Sequence, residues 1–196
     1  MKYGLMMVLI ACIGLAHAGG GGDVSVWTQT NESSSLRFQF TQAGVDESGQ
    51  FKKFDADYRF DPENLKASGF DVKVQLTSLN TDDEDRDEIL RSDDMFAVKQ
   101  WPTAHFKTLS IEHKGGNEYL AAATLSIRDQ TREIPFPFTL EIGDKIPGAA
   151  GKTAFRLTAS VPLKRLDYGV GKGDWAETTW ISDEVLVNVD VVAVRQ

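Results

Sequence analysis

Cysteine is nearly absent: the 196 residues include one, Cys12, and it lies close to the N-terminus. If that end is removed, no disulfide staples the remainder and no thiol is left as a nucleophile, so stability must come from a hydrophobic core. Histidine is scarce, with three in the chain, His17, His105 and His113. Neither of the last two has a second histidine or paired carboxylate at ligand spacing, which argues against a zinc site and leaves no obvious general base. No serine sits in a nucleophile elbow. Positive charge is in deficit, with 21 Lys and Arg against 29 Asp and Glu and a net charge of −8. That balance disfavours nucleic acid and anionic membrane surfaces, and its plainest consequence is solubility. Past Ala16 no apolar run approaches the roughly 18 residues that a membrane helix needs.

What the N-terminus does hold is Lys2, the apolar run Leu5 to Ala16, and then Ala16-His17-Ala18, a small-x-small cleavage site. This is the pattern of a signal peptide over 1–18, with cleavage after Ala18 and a mature chain of one domain over 19–196. A rival reading takes Leu9-Ile10-Ala11-Cys12 as a lipoprotein box, at the cost of an unusually short apolar segment before the cut.

From Val24 onward the dominant signal is period two. Leu36, Phe38 and Phe40 alternate with Arg37, Gln39 and Thr41; Phe54, Ala56, Tyr58 and Phe60 with Asp55, Asp57 and Arg59; Phe70, Val72, Val74 and Leu76 with Asp71, Lys73 and Gln75. Asp46 to Gly49, Asp61-Pro62 and Gly115-Gly116 read as turns. Ala104 and Phe106 give way to Leu109 and Ile111, a change of parity that predicts a bulge near Lys107 and Thr108. Tyr119 to Ile127, Ile134 to Ile142, Phe155 to Val161 and Val185 to Ala193 continue the alternation. Pro135 and Pro137 forbid ordinary central pairing at their positions and predict an edge-like or bulged stretch. About eight strands with one apolar face each, and little helix to cover them, give an all-β antiparallel protein whose sheet must cover itself. Alternation alone does not choose between a barrel and a sandwich.

The one helix lies in Ser78 to Phe106. Thr81 and Glu84 have the spacing of a capping box; Asp82, Asp83 and Glu84 suit the positive end of the helix dipole and Arg91 the negative end. Asp82 with Arg86, and Asp87 with Arg91, stand at i,i+4. With only Ile89 and Leu90, followed by Met95 and Phe96, this is a short cap laid over something apolar. Asp83, Asp85 and Asp87 imitate the start of a calcium loop, but Glu88 stands where a glycine is required, so an acidic helix start explains them better. Gly169-x-Gly171-x-Gly173 lacks a following helix, which leaves a glycine turn rather than a phosphate cradle.

Ser78, Thr81, Arg86-Asp87, Leu90, Phe96, Trp101-Pro102 and Phe106 together resemble the signature of the YceI-like family of periplasmic, lipocalin-like polyisoprenoid-binding proteins. The resemblance continues in Leu125-Ser126-Ile127-Arg128, in Arg165-Leu166-Asp167-Tyr168-Gly169-Val170-Gly171 and in Ile181-Ser182-Asp183-Glu184-Val185, and so spans nearly the whole mature chain. It implies a closed barrel of about eight strands with one capping helix, a periplasmic location, and an isoprenoid lipid or isoprenoid quinone as ligand without any cofactor. Such proteins often accompany cytochrome b-type membrane proteins, which makes one of these an expected partner. Two departures stand out: Gln42 occupies the neighbourhood where the family often has a histidine, and Asp129 replaces a common glycine.

The candidate lining follows from strand parity. Phe38, Phe40, Phe54, Phe60, Phe70, Phe106, Phe136, Phe138 and Phe155 all fall on apolar faces, joined by Leu76 and Leu157 and by Leu90, Met95 and Phe96 of the cap. Three classes of function remain: a carrier or sensor of a hydrophobic small molecule, an enzyme acting on one, and a structural module with a filled core. An aromatic-lined barrel needs no catalytic residue to carry a lipid, and the first reading is adopted.

Overall fold

The computed structural model describes residues 24–196, so the leader expected over 1–18 and the alternative at Cys12 lie outside the described residues. The predicted alternation becomes eleven strands in chain order. They are β1 (Val26–Gln29), β2 (Ser35–Gln42), β3 (Val45–Phe51), β4 (Phe54–Arg59), β5 (Gly69–Gln75), β6 (Leu79–Asn80), β7 (Thr103–Gly115), β8 (Glu118–Ile127), β9 (Gln130–Gly143), β10 (Ala154–Lys164) and β11 (Glu184–Arg195). All pairings are antiparallel.

Eleven pieces make eight staves because three staves are broken. β11 pairs with β2 through Leu186–Asp190 and with β1 through Ala193–Arg195, so β1 and β2 are two halves of one bent stave. β3 and β4 repeat this against them, and β5 and β6 against β4 and β3. From there the sheet runs β5-β7-β8-β9-β10-β11 and returns to β1, closing an eight-stranded up-and-down barrel with no free edge in its ring. The single α-helix among the described residues, α1 (Glu84–Arg91), lies in the long connection between β6 and β7.

Several local expectations find their cause here. The parity change in β7 is a bulge between Thr108 and Ser110, which turns Leu109 outward at 56% exposure while Ile111 returns to the core. Pro135 and Pro137 pair with Ala122 and Leu120 of β8, but β9 meets β10 only from Thr139 to Gly143. Leu140 N–H points to Asn117 O on the β8 side, so the alternate positions present their missing donors to the side where β9 has no ladder partner. The turn read at Asp46 to Gly49 lies earlier, at Ala43 and Gly44, both in the left-handed region. Gly49 instead sits inside β3, where a Cβ would come within 2.4 Å of the Phe38 ring, so this glycine serves close packing.

The helix start also moves. Its N-cap is Asp83, whose carboxylate accepts from Arg86 N–H, and not Thr81. Asp82 adopts φ 59°, which breaks the chain away from helical geometry before Thr81 could cap. Arg86 accordingly pairs with Glu47 at 2.8 Å rather than with Asp82, while Asp87 and Arg91 do form their i,i+4 contact at 3.3 Å.

Candidate functional site

One end of the barrel is filled. Trp27 donates its indole N–H to Phe60 O and meets Phe155 edge-on, Phe60 and Phe138 both contact Tyr119, and Phe70 stacks on Phe60 and meets Phe138 edge-on. Edge-to-face and offset contacts of this kind leave no passage for a ligand. This aromatic floor absorbs three residues predicted for the lining. Phe60, Phe138 and Phe155 are buried in the floor and do not face the lumen. Their strand parity is inward, as predicted, but inward at that depth means solid core.

Above the floor the barrel is hollow, with a cavity of about 210 Å³. Phe38, Phe40, Phe54, Phe70, Leu76, Leu90, Met95, Phe96, Phe106, Phe136 and Leu157 surround it, so the structure brings together eleven of the fourteen predicted positions. The inventory missed the aliphatic half of the wall. Val185, Val187, Val189 and Val191 of β11 and Val161 and Leu163 of β10 contribute a smooth flank, as do Leu125, Ile127 and Ile134. Their alternation was visible, but valine on a strand reads equally as filled core, and only ring closure decides that these residues face a void.

The cap covers the other end and is fastened at several points. Thr81 donates its backbone N–H and its hydroxyl to Asp87 Oδ1 at 2.8 and 2.7 Å, and Asp87 is almost fully buried. Arg91 reaches both Asp87 and Leu79 O. Arg128, in the two-residue turn between β8 and β9, donates to Met95 O and lies 4.9 Å over the Trp101 ring. On the far side, Gly171 and Lys172 N–H both donate to Asp94 O at 2.9 Å. Leu90, Met95 and Phe96 are thereby held against the lumen.

The glycine-rich stretch has the same purpose. Arg165 is buried and donates from Nε to Ser182 O, from Nη1 to Val170 O and from Nη2 to Ile181 O, tying two loops together at the capped end. Burial pulls its guanidinium below the usual arginine range, partly offset by Asp183. A Cβ on Gly171, at φ 103°, would fall 2.0 Å from Arg165 Nη1, so only glycine fits there. Of the departures, Gln42 lies at the rim, paired with Val45 and bridged to Ile181, and Asp129 is an exposed turn residue; neither lines the lumen.

A closed antiparallel barrel of eight strands around an apolar void, with one helix as cap, defines a lipocalin-like architecture of the kind that encloses small hydrophobic molecules. The YceI-like domain model matches residues 27–193, and the chain belongs to the YceI-like family. A UPF0312 protein of Vibrio cholerae serotype O1 is 29% identical over 172 residues, covering 87% of this chain and 89% of the relative. Among solved structures, BcnA of Burkholderia cenocepacia aligns with a TM-score of 0.75 at 26% identity, over 83% of this chain and 97% of BcnA. A polyisoprenoid binding domain from Saccharophagus degradans has the same fold at 15% identity, with a TM-score of 0.66 over 89% of this chain and 99% of that domain.

Proposed function

We propose that the protein is a non-catalytic carrier or sensor that holds one isoprenoid-type lipid, either a plain polyisoprenoid or an isoprenoid quinone, in the barrel lumen. The observation that carries this reading is the cavity itself: about 210 Å³ walled almost wholly by hydrocarbon. Such a void stays dry, because water there would lack the two to four polar partners it needs, and an apolar chain gains what water cannot. Each isoprene unit removed from water contributes about 4 kcal/mol at roughly 0.8 kcal/mol per carbon, so a few units outweigh the cost of immobilisation. The polyisoprenoid binding described for the Saccharophagus domain of the same fold supports the same ligand class.

The N-terminal Lys2, apolar run and Ala16-His17-Ala18 support export to the periplasm by a cleaved leader, and a cytochrome b-type membrane protein is the proposed partner for ligand exchange. N-terminal sequencing of the exported protein should give Gly19; Met1, or a lipidated Cys12, would reject this route.

Native mass spectrometry of protein purified under gentle conditions from its own envelope tests the carrier reading. A single adduct with masses spaced by isoprene units is expected. Val187→Trp, which fills the void without adding charge, should remove the adduct, whereas Thr139→Asp on the exposed face should keep it. A wild-type protein free of lipid, or a Val187→Trp variant carrying as much as wild type, would leave the filled-core alternative standing.

A further inference from the structure

Three side chains with polar tips reach the lumen wall, Tyr58, Arg165 and Tyr168. Two of them are already engaged. The Tyr58 hydroxyl donates to Gln29 Oε1 at 3.2 Å, and Arg165 uses all three of its nitrogens on backbone carbonyls. Tyr168 is different: it is only 2% exposed, and its hydroxyl has no hydrogen-bond partner among the described residues. Native structures rarely leave a buried hydroxyl unpaired, because the group has given up water and gained nothing. Tyr168 belongs to the loop locked beneath the cap, next to Val170, Gly171 and the Asp94 carbonyl that Gly171 and Lys172 grip. It therefore stands at the capped end of the lumen, opposite the aromatic floor.

Resting on the carrier reading, we propose that the Tyr168 hydroxyl donates a hydrogen bond to a neutral oxygen on the head of the bound lipid, a quinone carbonyl or a prenol hydroxyl. The lipid then lies with its head under the cap and its tail toward the floor formed by Phe60, Phe138 and Phe155. A diphosphate head does not fit this end. Arg165 is the only cation on the lumen wall among the described residues, its nitrogens are committed to Ser182, Val170 and Ile181, and hydrocarbon lines the rest. Two or more negative charges brought into such a site would lie desolvated without matching countercharge. Burial also holds the Tyr168 phenol above its ordinary range, with the neighbouring Asp167 acting in the same direction, so the hydroxyl keeps its proton throughout the physiological range.

Tyr168→Phe removes the hydroxyl and keeps the ring. The purified lipid-free protein is titrated with three probes sharing a three-unit tail: a farnesyl benzoquinone, the hydrocarbon farnesene and farnesyl diphosphate. The quinone should bind tightest to wild type, and Tyr168→Phe should weaken it about three- to tenfold while leaving farnesene within about twofold. The infrared carbonyl band of the bound quinone should shift to lower frequency in wild type and lose that shift in the variant, a signature that a purely structural tyrosine would not produce. The variant should also melt no lower than wild type, since it loses an unpaired buried group. Equal weakening of quinone and farnesene, an unchanged quinone affinity, or tightest binding by the diphosphate would overturn the proposal while sparing the carrier reading. Failure of wild type to bind any of the three would overturn both.

Discussion

At the scale of single residues, the polar groups that matter are those the fold has buried and then satisfied. Asp87 accepts from the amide and hydroxyl of Thr81 and from Arg91, so Asp87→Ala strands a buried N–H and a guanidinium together. We expect a loss of about 3 kcal/mol by denaturant unfolding, against about 1 kcal/mol for Asp83→Ala, which removes the helix cap and a half-exposed ion pair with Arg86. Equal costs would mean that the tether is no stronger than a surface cap. Arg165 behaves as Asp87 does: Arg165→Ala frees three carbonyls at once and should lower the melting temperature more than any exposed arginine, such as Arg59, does. On the outer face, Asp71 accepts from His105 at 2.6 Å and faces Lys107 at 3.3 Å, contacts that hold its carboxyl below the usual carboxylate range, the His105 hydrogen bond most of all. A carboxyl depressed in the folded state contributes stability above its unfolded value near 4, and this is lost as pH falls through the lower folded value. Asp71→Asn should therefore be less stable than wild type at neutral pH, and the two should begin to converge below about pH 4 and meet below the lower folded value; a gap that persisted there would assign the effect to packing instead.

Among the elements, the cap is the part whose boundaries come from tertiary contacts. Its acidic start, its last-turn Arg91 and its apolar Leu90, Met95 and Phe96 could all be read in order, but the capping residue could not. Thr81 has the right spacing, yet its hydroxyl is drawn to buried Asp87, and Asp83 takes its place. The same applies to Arg128. Nothing in Ile127-Arg128-Asp129 indicates that this side chain crosses to Met95 O and covers Trp101, because both partners lie about thirty residues earlier in the chain. Arg128→Ala should loosen the cap without unfolding the barrel. The expected outcome is faster hydrogen exchange at Ala97 and Val98, whose amides are bonded within the cap, with the β10–β11 ladder unchanged. On the carrier reading, bound lipid should also leave faster, since Met95 and Phe96 line the lumen. Uniform acceleration across both regions would make Arg128 a global stabiliser rather than a clamp.

For the whole molecule, depth decides what strand parity means. Phe138 and Phe136 share one strand, one face and one side-chain type, yet Phe138 is part of the floor and Phe136 lines the void. Phe138→Asp should consequently destabilise the fold itself, so its loss of lipid would say nothing about the site, whereas the Val187→Trp variant addresses the lumen directly. The floor also shortens the usable depth. A wall of about ten residues per strand, rising about 3.3 Å each and tilted about 40°, spans roughly 25 Å, but the aromatic layer occupies its lower part, so on the carrier reading fewer isoprene units would lie straight than the wall height alone allows. The sequence by itself determined the local and the periodic features: period-two strands, the bulge in β7, the constraint from Pro135 and Pro137, a single acidic helix, and the motifs that mark the family. These depend on backbone geometry and near neighbours, which a linear chain carries. The tertiary structure alone decided which inward rings make a floor and which face space, that broken staves close through β1 and β11, and that Tyr168 remains unpaired beneath the cap. Each of these depends on contacts between residues far apart in the chain, whose energies exist only once the ring is closed.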